Sequence, residues 1–253
     1  MTHPKLVTPD DETPIWRYMN FVKFVSVLED DSLYFSRLDL LGDPFEGSYA
    51  RNTTLRKVNI DMESGITTTE NLTLDELDGS EFWAKSHLVS IRSSFVNCWY
   101  SRMSDSAAMW ALYASQTDGV AIRSTVGRLK TSLSSYEKPL YIGEVNYIDY
   151  DTHVGSLDDG LGQMLFKRTS FDHEHEVRVL IHDLDHGPVG KTGIVPGLSV
   201  PVNISELISE VVVAPQAVPW FHDLVAKMMK RYGIDFEPKY SPHAATPYWH
   251  AED

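Results

Sequence analysis

The chain carries one cysteine in 253 residues, Cys98. A lone cysteine excludes an internal disulfide and any cysteine-based zinc knuckle. It lies in the run Phe95-Val96-Asn97-Cys98-Trp99-Tyr100 with no cation beside it in sequence, and reads as a small buried hydrophobe rather than a nucleophile. Basic charge is also scarce: 22 Lys and Arg face 36 Asp and Glu, for a net charge of −14. That balance opposes coating of DNA or RNA and docking on an anionic membrane, but leaves room for a few Arg to bind a small anion such as a nucleotide. No apolar run approaches the ~18 residues of a membrane span. Met1 to Thr13 is polar and lacks the apolar centre of a secretion signal, so a cytoplasmic protein is expected.

Several signature motifs are missing as well. There is no Gly-x-Gly-x-x-Gly, no Gly-Lys-Ser/Thr phosphate loop, no Gly-x-Ser-x-Gly elbow and no His-Glu-x-x-His. Dinucleotide-fold dehydrogenases, phosphate-loop ATPases, serine hydrolases of the elbow type and zincins lose ground accordingly. No repeat of 20–50 residues is visible. Strands do not alternate regularly with helices of 10–15 residues, which argues against a doubly wound parallel sheet.

What the chain does have is apolar and aromatic mass: 42% hydrophobic residues, with 6 Trp, 12 Tyr and 10 Phe. That is enough to fill a core, and it argues against intrinsic disorder. The expected fold is α+β, a split and mostly antiparallel sheet with flanking helices. It is read as a single domain over 1–253, with 51–80 as an exposed loop or irregular helical insertion and 241–253 as a tail.

Ile15 to Met19 reads as a strand. Asn20 caps a helix whose Phe21, Phe24, Val25 and Leu28 recur at helical spacing. Ser32 to Arg37 is the next strand, closed by the turn Gly42-Asp43-Pro44-Phe45-Glu46-Gly47. Further strands are expected at Phe95–Tyr100, Val120–Ile122, Ile142–Ile148, Phe171–Ile181 and Val211–Val213. Helices are expected from Ser104, as cap, to Asp118-Gly119, and from Pro219 to Tyr232. Gly187 to Pro201 reads as a turn-rich connection.

Phe171-Asp172-His173-Glu174-His175-Glu176-Val177-Arg178 is the segment richest in chemistry. On a strand, Glu174 and Glu176 project to one side about 7 Å apart, since each residue rises ~3.3 Å. Two carboxylates in one cleft can divide labour, one stabilising a cationic transition state and the other orienting a nucleophile. Cleavage of an N-glycosidic bond develops such a cation. The same pattern also describes the wet face of an antiparallel strand, with cross-strand charge pairs. His173, His175, His182 and His186 are dense enough to raise a metal site, but hydrogen-bonded or solvated imidazoles outweigh it, and no metal is expected. In Trp16-Arg17-Tyr18, an Arg between two aromatics suits a phosphate or ribose with a base stacked beside it; an ordinary Arg on an open strand face fits as well.

Seven segments in order resemble the bacterial family known as domain of unknown function 2971. They are Trp16-Arg17-Tyr18, Leu33-Tyr34-Phe35-Ser36, Asp43-Pro44-Phe45-Glu46, Cys98-Trp99-Tyr100-Ser101, Met109 to Ala114, Gly119 to Ile122 and Glu174-His175-Glu176-Val177-Arg178. One departure is Gly42, where that family usually has Asn; a turn role tolerates the change. The layout is similar to that of ADP-ribosyltransferases, with a first strand bearing Arg, a middle strand bearing aromatic and hydroxyl residues, and a late strand bearing Glu-x-Glu.

By that resemblance NAD is the cosubstrate. Arg17 would hold its ribose or phosphate, and Tyr34 or Tyr100 would stack on nicotinamide, with Tyr18 and Ser36 also binding the cofactor. Glu176 would stabilise the oxocarbenium ion and Glu174 would position the acceptor. The implied activity is an ADP-ribosyltransferase or NAD glycohydrolase, of the kind found in toxins and phage-defence effectors, with a protein acceptor favoured over nucleic acid. Two other functions stay open: a non-catalytic sensor or protein-interaction domain, and a metal-dependent nuclease built on Glu174, Glu176, His173 and His175. The absence of a Lys near the carboxylate pair weighs against the nuclease.

Overall fold

The computed structural model describes residues 3–60, 67–73, 76, 80–157 and 160–245. Parts of the 51–80 stretch and residues 246–253 of the tail therefore lie outside the described residues.

Strand β1 (Pro14–Asn20) leads directly into α1 (Phe21–Asp30), which leads into β2 (Ser32–Arg37). The junctions are written in the sequence. The Asn20 side chain accepts a hydrogen bond from the Lys23 N–H at 2.9 Å and so caps the helix. Asp31, at φ 44°, ends it in the left-handed conformation.

The hairpin β3 (Thr54–Ile60) and β4 (Thr67–Thr73) and helix α2 (Ser80–Arg92) follow. The hairpin corrects the expectation of a loop or irregular helix over 51–80: its Thr-rich strands satisfy each other's backbone in a separate two-stranded sheet, without an apolar alternation to announce them. Then come β5 (Ser94–Tyr100), α3 (Ala107–Tyr113), β6 (Gly119–Thr125) and α4 (Val126–Ser132). The cap of α3 is Ser106 rather than Ser104, because Asp105 turns inward to accept from the Trp110 indole at 2.9 Å.

β7 (Tyr141–Glu144) and β8 (Asn146–Ile148) divide the strand expected over 142–148; β9 (Phe166–Arg168) pairs parallel to β8. β10 runs only from Glu176 to His182, since Thr169–Glu174 forms a 3-10 helix. β11 (Gly197–Pro201) is a strand inside the connection expected over 187–201. α5 (Ile204–Leu207), β12 (Glu210–Val213), α6 (Pro219–Arg231) and β13 (Lys239–Tyr240) complete the chain. Pro at the start of α6, Lys230 and Arg231 in its last turn, and Gly233 at φ 77° mark that helix's ends.

Among the described residues nine strands form the main sheet, and every pairing in it except β12–β13 is antiparallel. On one side of β5 lies β10, paired over the strand's whole length. On the other side β5 has two partners: β2 at Val96 and Phe95, and β1 at Tyr100 alone. The sheet therefore forks at β5. One branch runs β2–β11 and the other β1–β6–β12–β13.

One face of the sheet carries the main core, where Ile15, Trp99, Ile122, Val177, Val179 and Ile181 meet Phe24 and Leu28 of α1, Leu129 of α4 and Val225 of α6. Each fully buried side chain of this size contributes roughly 1.5–3 kcal/mol. The opposite face packs Trp16, Tyr18 and Tyr100 on Met109 and Trp110 of α3. No helix among the described residues is long and apolar enough to cross a membrane.

Candidate active site

A fork in a sheet leaves backbone groups without strand partners, and buried backbone groups need substitutes. Asn97, fully buried, supplies one: its Nδ2 donates to the Tyr34 carbonyl at 2.9 Å, while its Oδ1 accepts from the Trp99 indole at 2.7 Å. Arg17 supplies the other, donating from Nη1 to the Cys98 carbonyl at 2.7 Å. Burial pulls the Arg17 guanidinium below its ordinary pKa, against the pull of nearby Glu176.

The gap opens into a cavity of about 590 Å³, within the range of small-molecule and cofactor sites. Its lining comes from both faces of the sheet: Lys23, Ser26 and Asp30 of α1 on one side, Met109 and Tyr113 of α3 on the other. All seven residues singled out in the sequence, Arg17, Tyr18, Tyr34, Ser36, Tyr100, Glu174 and Glu176, line it. They reach it differently. Tyr34 is half exposed, and its ring lies across Gly197, where a Cβ would come within 2.3 Å of the ring. Tyr18 is buried edge-on against Trp110, and its hydroxyl accepts from the Ser106 N–H at 2.9 Å. It forms wall rather than a free polar contact. Tyr100 stands edge-on to Tyr18.

The cavity floor is a buried ion cluster. Glu176 accepts from Arg178 Nε at 2.7 Å and Nη2 at 3.1 Å, and from Lys167 Nζ at 3.1 Å. Arg178 also donates to Glu46 at 3.0 Å and to the Met164 carbonyl at 2.7 Å. Lys167 contacts Glu46 at 3.3 Å and donates to Glu174, whose other oxygen accepts from the Tyr113 hydroxyl. Burial alone would raise the pKa of Glu176, but Arg178 and Lys167 overcome it and hold the carboxyl at about 2. The Cys98 thiol is pushed well up by burial and by Glu176, so it stays neutral, as expected of an inert cysteine.

Four expectations change here. Glu174 is not on a strand: it ends the 3-10 helix, and His175 at φ 38° turns the chain so that both carboxylates meet at Lys167. Glu176 and Arg178 do share a strand face, but that face is buried rather than wet. His175 faces Arg102 at 2.7 Å instead of lying on a strand beside His173. A Lys does stand at the carboxylate pair, contrary to the sequence reading. Lys167 sits in a three-residue strand, too short to show any period, and only the fold brings it there.

The Asp43-Pro44-Phe45-Glu46 turn was legible as a turn but not as a clamp. Asp43 binds Arg168 through both oxygens, at 3.0 and 2.9 Å, and Phe45 lies under the same guanidinium. Glu46 reaches Lys167 and Arg178. Gly42 has φ 94°, a conformation Gly adopts freely and Asn tolerates, as a turn role requires.

No protein-family model and no curated protein matches the sequence. Among solved structures, the chain aligns with Thermus sp. 2.9 DarT in complex with ADP-ribosylated ssDNA at 12% identity and a TM-score of 0.39, over 94% of this chain and 98% of that one. It aligns with the same protein in complex with NAD+ at 11% identity and a TM-score of 0.39, over 92% and 96%.

Proposed function

We propose that the chain cleaves the N-glycosidic bond of NAD and passes ADP-ribose to an acceptor, or to water as an NAD glycohydrolase. The observation that carries this is Glu176, buried yet held ionised in the floor of a cavity whose walls bear Arg17 and aromatic rings. Departure of nicotinamide leaves positive charge on the ribose, and a fixed carboxylate in a dry site stabilises that charge more strongly than water does. A carboxylate has about four acceptor positions. Arg178 and Lys167 fill three on Glu176, and the Cys98 thiol, a weak donor, stands against the carboxylate too. A ribose hydroxyl displaces the thiol there.

The half-exposed Tyr34 ring stacks on nicotinamide, Ser36 and Tyr100 bound the same pocket, and Arg17 with Lys23 receives the diphosphate. Glu174, bonded to Tyr113, orients the nucleophile. The cavity is less acidic than the protein's −14 would imply: the lining cations Arg17, Lys23 and Lys167, with Arg178 behind them, offset Asp30, Glu46, Glu174 and Glu176. A metal-dependent nuclease fits less well, since Lys167 occupies the space between the carboxylates such a metal would use.

The test is nicotinamide release from NAD by wild type and Glu176→Gln, with thermal stability read alongside. Saturating NAD at 100 Kd raises stability by about 2.7 kcal/mol. Stabilisation of both proteins with release by wild type alone supports the assignment; absence of shift and release in both ends it. A protein acceptor is favoured by the acidic surface; single-stranded DNA, the modified ligand in one DarT structure, is offered in parallel. An NAD-consuming role as a toxin or phage-defence effector requires that wild type, and not Glu176→Gln, depletes cellular NAD.

A second reading draws on the same cluster. Glu46, Glu174 and Glu176 are each nearly inaccessible and already paired, as in a purely structural ion network of a sensor or interaction domain. Glu176→Gln would then leave ligand handling unchanged.

A further inference from the structure

We propose that Lys167 is a positioning residue: by touching both carboxylates it holds Glu174 and Glu176 side by side, so that one can face the ribosyl cation while the other orients the acceptor. The proposal rests on the cavity being a site of glycosyl transfer.

Its basis is the distribution of charge in the cluster. Three carboxylates, Glu46, Glu174 and Glu176, share two cations. Arg178 pairs with Glu46 and Glu176. The cation on Glu174 is Lys167, and the other donor to that carboxylate is the neutral Tyr113 hydroxyl. Among the described residues, Lys167 is thus the one group that touches all three carboxylates. Besides it, the groups facing the pair are Glu46 from the turn, Cys98 of β5, Tyr113 of α3, Tyr147 of β8, Arg17 of β1 and Arg178 of β10.

The fold delivers Lys167 by a dedicated device. Strand β9 pairs with β8 in the register Tyr147 to Lys167, and the Tyr147 hydroxyl accepts from the Glu176 N–H at 2.8 Å. The ammonium also lies 5.0 Å from the centre of the Phe171 ring, a cation–π contact that helps to hold it. Remove the ammonium, and the three buried carboxylates keep one guanidinium in direct contact, Arg178, with Arg17 facing Glu176 from further off. Like charges in so small a space cannot all stay ionised, and a proton must return to one of them. Glu174, which has no Arg178 contact, is then left among the described residues with the Tyr113 hydroxyl alone. A carboxyl without its cation is no longer held in place to orient an incoming nucleophile.

The experiment compares Lys167→Met, Lys167→Arg and Lys167→Met/Glu174→Gln with wild type. Melting temperatures at pH 5 and pH 8 are read together with the pH profile of nicotinamide release. In Lys167→Met a carboxyl is protonated in the fold and ionised when unfolded, so the melting deficit should be larger at pH 8 than at pH 5. Lys167→Arg should restore most of the stability, and the added Glu174→Gln should remove the pH dependence. Nicotinamide release by Lys167→Met should fall at least tenfold at pH 7 and recover as pH rises.

A deficit equal at both pH values and unrelieved by Glu174→Gln makes Lys167 a packing residue and overturns the proposal. If Lys167→Met does not fold, its recovery by Glu174→Gln supports the proposal and failure to recover overturns it. A wild type that releases no nicotinamide, beside a pH-dependent deficit in Lys167→Met, defeats the transfer reading and leaves the charge-holding role standing.

Discussion

Glu176 gives up its proton far more readily than burial permits by itself, because Arg178 and Lys167 sit within 3.1 Å of its oxygens. Its carboxyl falls from an ordinary 4.5 to about 2. A depressed acid stabilises the fold at pH values above its unfolded pKa, and that contribution disappears as pH falls through the folded value. A shift of this size corresponds to about 3 kcal/mol at neutral pH. Acid titration followed by circular dichroism should therefore show stability declining between pH 4.5 and 2, with Glu176→Gln shallower over the same window. The residue types were legible in the sequence, where Glu174, Glu176 and Arg178 stood out. Their partners were not. Glu46, Lys167 and Tyr113 lie 130, 9 and 63 residues from Glu176, and no spacing rule connects groups joined only by tertiary contact.

At the scale of elements, the strand beginning at Glu176 could not be placed from its pattern. Phe171 to Ile181 alternates well enough to be read as one strand, yet its first part is a 3-10 helix joined through His175 in the left-handed region. A non-glycine residue there is strained, and strain held at a site points to a geometric purpose. Here it aims Glu174 and Glu176 at one ammonium. His175→Gly should keep or raise stability, by up to about 1 kcal/mol, since glycine takes this conformation without a Cβ penalty. His175→Val should lower it by more than that and reduce nicotinamide release along with it. Calorimetry on the two variants checks the difference; equal effects would mean that the backbone twist is incidental. The elements that follow local rules were read closely. β2 begins and ends at Ser32 and Arg37 as expected, and Asn20 caps α1. The hairpin over 54–73 was hidden by its polar strands, and β11 by Gly197 and Pro201, turn-forming residues that bracket its short Leu198 and Val200 alternation.

Across the whole molecule, the wall of the cavity is tied to the end of the described chain. α3 carries Tyr113, and its buried anchor Asp105 accepts from Trp110 at 2.9 Å and from the Ser241 hydroxyl at 2.6 Å. Ser241→Ala leaves part of a buried carboxylate unsatisfied, at a cost of about 1–3 kcal/mol. For a chain of this length that lowers the melting temperature by roughly 2–4 °C per kcal/mol, and α3 should loosen with it. Hydrogen exchange should rise at Ala107 to Tyr113 in Ser241→Ala and stay unchanged in β10. The sequence alone determined the class of the fold, an α+β molecule with a split and mostly antiparallel sheet, because burial of alternating strands and capped helices is a local matter of period and chemistry. It also nominated the polar residues that could do chemistry. Tertiary structure decided where the sheet forks, which cation neutralises which carboxylate, and that Lys167 belongs to the site at all. Those outcomes depend on desolvation and on charges meeting across long loops, energies that exist only once the chain has closed around them.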